Sequence, residues 1–290
     1  MPSTKVGGTV GGPSHHLVMT DELNVGPGSA ALTPAKRKAG DRQDSAGRAY
    51  AGSQMSLQVW VNRRQPEISA KILKALAIPD DQARIEWASP VEKVEPGRKK
   101  GFAEYKDGAF LRALGLRAHR AKLKEFWPSG GPVWDGLAKI VRPASDEIGY
   151  VLIEAKSYPG EVLGGGCKAA PGSDSRRKIE ASLEVASGWL PHETQTWETR
   201  AESWMGKLYQ SANRIAHVYF LRELLGLEAY MVNVCFTGDP RTPTTEKEWE
   251  TAKVDFAKKL GISNVATPWL ADVFLSAASR AELVTSSVGE

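Results

Sequence analysis

The sequence predicts an α/β domain built on a partly parallel sheet. Tyr150-Val151-Leu152-Ile153 is a nearly continuous apolar run, the pattern of a strand buried on both faces. Ala229 to Thr237 reads as another strong strand, with Tyr230-Met231-Val232-Asn233-Val234-Cys235-Phe236 at its centre. Helical stretches lie between these two, and strand–helix–strand order favours parallel neighbours.

The elements follow in order. Residues 1–54 are rich in Gly, Ser, Pro and Ala and lack an apolar period, so they are expected to form a disordered leader. His15, His16 and the run Lys36-Arg37-Lys38 belong to that leader. Residues 55–290 are expected to form a single domain. Leu57, Val59 and Val61 alternate with Gln58, Trp60 and Asn62, which predicts a short strand. A helix is predicted from Glu67 to Leu76, before Pro79, and a short strand over Arg84-Ile85-Glu86-Trp87. Pro96-Gly97-Arg98-Lys99-Lys100-Gly101 is a basic loop. Helices are predicted over Asp107–Leu114 and Leu116–Phe126, closed by Pro128-Ser129-Gly130-Gly131-Pro132. Strands over Val133–Val141 and Gly149–Ser157 are joined by a turn containing Pro143, Asp146 and Glu147. Gly164-Gly165-Gly166 lacks the Gly-Lys-Ser/Thr ending of a P-loop and is expected to form a flexible rim to the site. Ser173 or Asp174 caps a helix to about Ser187, and a long helix is predicted from Glu202 to Leu225. A charged helix over Thr245–Leu260 and a strand over Ala271–Ala277 complete the chain.

Composition narrows the class. Hydrophobic residues make up 41% and charged residues 25% of 290, ordinary for a globular protein with a sizeable core. Cys167 and Cys235 are too far apart and too few for a disulfide scaffold or a cysteine-based zinc site, and they fit a reducing, cytoplasmic interior. The sequence shows neither a long apolar span nor a secretory signal, so no membrane association is expected. The formal net charge is +4, but its distribution is uneven. Between Glu92 and Glu125, ten basic residues face five acidic ones, so this stretch alone carries +5. Such a cluster suits a polyanion or a solvated helix face.

The chemistry centres on Glu154-Ala155-Lys156. Residues i and i+2 of a strand share a face, so Glu154 and Lys156 stand side by side directly after four apolar residues. Unless the strand simply emerges into solvent there, that charge must be used or satisfied. Asp135 lies near the start of the preceding strand. Pairing Asp135 with Glu154 in a hairpin centres the turn on residues 144–145, beside Pro143 and Ala144. Two carboxylates brought together repel, and a hard divalent cation such as Mg²⁺ relieves the repulsion with oxygen ligands. The cation would polarise a phosphate, while Lys156 would orient the attacking water or stabilise developing charge.

Asp135 followed by Glu154-Ala155-Lys156 resembles the PD-(D/E)xK nuclease superfamily, whose fold is restriction-endonuclease-like. The resemblance spans roughly residues 104–237. It implies a central mixed sheet of about four strands flanked by helices, and Mg²⁺-dependent (or Mn²⁺-dependent) cleavage of nucleic acid, DNA in preference to RNA. It also implies that Asp135 and Glu154 ligate the metal and that Lys156 positions the water. Trp134 stands where the family has proline. Many members carry a further acid on a helix before the aspartate, for which Glu125 is the nearer candidate and Glu104 the second. Many also carry a glutamine on a later helix. Gln210, Arg214 and His217 form one helical stripe there, with Gln210 as the catalytic candidate, Arg214 as a phosphate contact and His217 as a satisfied, partly buried histidine. Lys122 and Lys124 are the basic candidates for nucleic-acid binding. Two alternatives stay open: a non-catalytic nucleic-acid-binding or structural module on the same fold, and an enzyme of another type with Glu154–Lys156 as a plain ion pair.

Overall fold

A computed structural model of the chain describes residues 42–94, 100–190, 196–262 and 267–285. Most of the expected leader, residues 1–41, and most of the basic loop, residues 95–99, lie outside the described residues. One five-stranded sheet organises the rest. Its order is β1 (Arg84–Ser89), β2 (Gly136–Val141), β3 (Ile148–Lys156), β4 (Ala229–Thr237) and β5 (Leu270–Ser276). β1, β2 and β3 pair antiparallel, whereas β3, β4 and β5 run parallel. The helices are α1 (Gly52–Arg63), α2 (Gln65–Ala75), α3 (Gly108–Ala113), α4 (Arg120–Phe126), α5 (Asp174–Trp189), α6 (Trp197–Met205), α7 (Tyr209–Tyr219), α8 (Glu246–Leu260) and α9 (Arg280–Val284). Crossovers through α5–α7 and through α8 keep the last three strands parallel, as the element order requires.

The sheet separates two cores. One face, with Ala138, Val151, Ile153, Val232 and Val273, packs on α1, α2 and α9 through residues such as Leu57, Ile68 and Leu283. The other face, with Leu137, Leu152 and Met231, packs on α3–α7 through Phe110, Leu183, Trp204 and Ile215. Each central strand is therefore apolar on both sides, which explains the unbroken run at 150–153. Among the described residues, no helix is long and apolar enough to cross a membrane.

Two elements differ from expectation. The segment predicted as a strand at Leu57–Val61 lies inside α1. Alternation there was misleading because this helix is buried nearly all round: Ser56, Leu57, Gln58, Val59, Trp60 and Val61 are all inside. Order also begins earlier than residue 55. Residues 42–51 pack against α1, where the Gln58 side chain accepts from Ala49 N at 2.7 Å and donates to Gly47 O at 3.1 Å. The long helix expected from Glu202 to Leu225 is broken into α6 and α7 at Gly206. A Cβ at Gly206 would lie 2.3 Å from Glu202 O, so the break needs glycine. After α7 the chain continues in one wide turn over Phe220–Leu224.

Candidate active site

β2 and β3 set the geometry. Gly136 pairs with Ile153, so Asp135, one residue before β2, stands opposite Glu154. This is the hairpin register the sequence predicts. The Asp135 carboxylate accepts a hydrogen bond from Ala155 N at 2.8 Å, which ties it to the edge of β3. Tyr105 bridges Trp134 in the same antiparallel sense, and Glu104 therefore runs alongside Asp135. On the other side, Glu154 aligns with Asn233 of β4, and Asn233 with Asp272 of β5. The polar positions Asp135, just before β2, and Glu154, Asn233 and Asp272, in β3, β4 and β5, thus form one row.

Lys156 shares the face of Glu154 and pairs with it, Nζ to Oε1 at 2.6 Å. Arg214 comes down from α7 onto the other carboxylate oxygen, Nε to Oε2 at 2.7 Å. Its remaining nitrogens reach Asn213 Oδ1 at 2.8 Å and Val133 O at 2.9 Å. The guanidinium also lies 5.2 Å from the centroid of the Trp134 ring. Trp134, fully buried, thereby acts as the floor under Arg214.

These contacts divide the two carboxylates electrostatically. Burial alone would raise the pKa of Glu154, but Arg214 and Lys156 outweigh it and hold the group below its ordinary value. Asp135 has no such partner: burial and the repulsion of Glu154 push it up to about 8, with Lys156, Ala155 N–H and Arg214 opposing. Lys156 is depressed by burial, yet the carboxylates of Glu154 and Asp135 more than compensate, so it stays charged. A charged lysine here donates hydrogen bonds and stabilises negative charge; it does not abstract protons.

Asp135, Glu154, Lys156, Gln210 and Arg214 all line one open cavity of about 780 Å³. Glu104, Glu161, Gln54, Arg42 and Lys100 also belong to its polar wall. Glu104 accepts from Gln54 at 2.6 Å, and its pKa is raised by burial and by Glu154. Glu161 accepts from Ser157 N at 2.8 Å at the end of β3. Glu125 does not line this cavity and is exposed on α4, whereas Glu104, the second candidate, does line it. Lys122 and Lys124 are likewise exposed on α4 and outside the cavity wall, where Lys124 O accepts from Lys178. The phosphate contact expected of Arg214 meets a guanidinium already committed to Glu154, Asn213 and Val133 O. His217 is buried among Phe110, Phe126, Trp127 and Trp134, with Nδ1 2.7 Å from Asn213 O. Burial lowers its pKa to about 4, leaving it neutral and structural. The glycine loop is docked on the α6–α7 break, with Gly164 N and Cys167 N donating to Lys207 O and Met205 O, each at 2.8 Å.

Arg42, Gln54 and Glu161 carried no readable signal in the sequence, because each reaches the cavity through packing that no local pattern encodes. Among the described residues, no three His, Cys, Asp or Glu side chains gather into a ready-made metal cage. A hard cation such as Mg²⁺ usually binds through one or two carboxylates and keeps several waters. An acidic pair with one member destabilised as an anion has the donor chemistry such a cation would satisfy. Compared with known proteins, the chain matches no family model, no curated protein and no solved structure.

Proposed function

We propose that this protein is a Mg²⁺-dependent nuclease with a restriction-endonuclease-like core, hydrolysing phosphodiester bonds in DNA in preference to RNA. Mn²⁺ would serve in place of Mg²⁺. The observation that carries the reading is the alignment of Asp135 opposite Glu154 on the wall of a polar cavity, with charged Lys156 on the same face. Asp135 and Glu154 would hold the cation, and Glu104 would add negative charge beside them. When bound, the cation would polarise the phosphate and lower the pKa of the attacking water. Lys156 donates to the water or to the charge that develops on phosphate, and Arg214 holds Glu154 in position through its buried pair. Gln210, on the cavity wall, orients the substrate. The two free cysteines support a cytoplasmic setting.

A second reading, a nucleic-acid-binding module that does not cut, has one observation in its favour. Glu154 is already neutralised by two cationic side chains. Plasmid nicking separates the two. The nuclease reading predicts relaxation of supercoiled DNA with Mg²⁺ or Mn²⁺ that falls roughly 10²–10³-fold in Lys156→Ala and Asp135→Ala. DNA binding with no metal-dependent cleavage would establish the module instead, and equal activity in all three proteins would remove the site.

A further inference from the structure

A second cavity opens from the first. It encloses about 330 Å³ between β4, β5, α7 and α8, and shares Glu154, Lys156 and Gln210 with the candidate active site. Its walls are apolar: Ile215, Met231, Ala257, Leu260, Ile262 and Leu270. Its polar edge continues the row that begins at Asp135 and Glu154. Asn233 Nδ2 donates to Asp272 Oδ1 at 2.8 Å, and Lys253 reaches the same carboxylate from α8. This leaves an apolar slot with acceptors and a lysine donor at one edge. At the junction of the two cavities, Gln210 Oε1 is buried with no hydrogen-bond partner. A ligand spanning both cavities would place an anionic group by Lys156 and a flat apolar body in the slot. Its hydrogen-bonding edge would meet Asn233, Asp272 and Lys253.

A nucleotide has that shape. We propose that the slot receives the unpaired base of the nucleotide whose phosphate sits at Asp135 and Glu154, so that the protein acts on single-stranded or extruded nucleotides. The proposal rests on the nuclease reading for its phosphate position. Apolar walls take the base faces, as in pockets that accept flipped bases. Asp272 and Gln210 Oε1 accept from base N–H groups, and Lys253 donates to a ring acceptor. A base still stacked in a duplex could not enter between α7 and α8, so pairing would have to be broken first.

The test measures binding and cleavage separately. Deoxynucleoside monophosphates are titrated calorimetrically into the full chain with Mg²⁺, against 2-deoxyribose 5-phosphate, which lacks the base. The mononucleotide is expected to bind at least about tenfold tighter than the base-free sugar phosphate, in line with the value of a stacked base. Ala257→Phe, which fills the slot, and Asp272→Asn, which keeps the shape of its edge, should each remove most of that difference. Circular dichroism would check that both variants fold. In the second arm, a single-stranded oligonucleotide should be cut faster than its duplex, and Ala257→Phe should abolish the preference. Equal binding of the two phosphates overturns the slot, as does unchanged binding and strand preference in both folded variants, even if wild-type cleavage is robust. Base-dependent binding without cleavage of any nucleic acid would keep the slot and remove the nuclease.

Discussion

Glu154 and Asp135 are neighbours with opposite electrostatic fates, and the difference is set by who pairs with them. Glu154 is held as an anion by Arg214 and Lys156, at 7% and 16% side-chain exposure. Breaking a buried pair from one side leaves the other charge uncompensated. Arg214→Met is therefore expected to lose about 3–5 kcal/mol of folding stability, read by urea denaturation. Asp135 behaves oppositely. Its folded-state pKa lies above its unfolded value, so the neutral form stabilises the fold, fully at pH below about 4. That contribution is lost as pH rises to about 8. In EDTA, Asp135→Asn should match wild type at low pH and melt higher than wild type at pH 9, by about 2–4 °C per kcal/mol. The same shift makes metal binding compete with a proton, so Mg²⁺ affinity should climb with pH up to about 8 and then level off. Calorimetry across pH 6–9 would show it, and a flat profile would mean that Asp135 is not a ligand.

Helix caps and hairpin register are local signals, and they explain which elements could be read in the sequence. Thr245 caps α8 in a complete capping box with Glu248, and Thr245→Ala should cost about 1 kcal/mol in equilibrium unfolding. The end of α8 was readable for the same reason, since Gly261 adopts the left-handed conformation a helix terminus favours. β3 and β4 were visible as apolar runs, and Asp135 could be aligned with Glu154 because a short hairpin fixes its own register. α1 was misread because burial on all sides erases helical period and leaves an accidental alternation. Glu104 is less legible in the sequence than Glu125 for a related reason. Its approach depends on a single bridge between Tyr105 and Trp134, a long-range contact that sequence spacing does not reveal. Gln58→Leu tests how far the early segment depends on α1. Losing the bonds to Ala49 N and Gly47 O should loosen residues 42–51 and speed their amide exchange.

At the scale of the whole molecule, the sheet aligns chemistry that the chain scatters. Residues 154, 233 and 272 come from three strands and residue 135 directly precedes a fourth, yet parallel and antiparallel registers bring them to one level on one face. The apolar cores on both sides hold that level fixed, so the polar row is an interruption the sheet must satisfy. Arg42, Lys100, Lys156 and Arg214 share the cavity wall with Glu104, Asp135, Glu154 and Glu161, and on the nuclease reading proposed above nucleic-acid binding should weaken as salt rises. On the proposed reading, Asp135 and Glu154 use a divalent cation to cut phosphodiester bonds. Its most direct test is single-turnover hydrolysis of a labelled oligonucleotide by wild type and Asp135→Asn over a Mg²⁺ titration ending in EDTA. Saturable Mg²⁺ dependence, abolished by EDTA and reduced at least about 10²-fold in folded Asp135→Asn, is the predicted result. Hydrolysis that ignores the metal, or that proceeds equally in the variant, would contradict it.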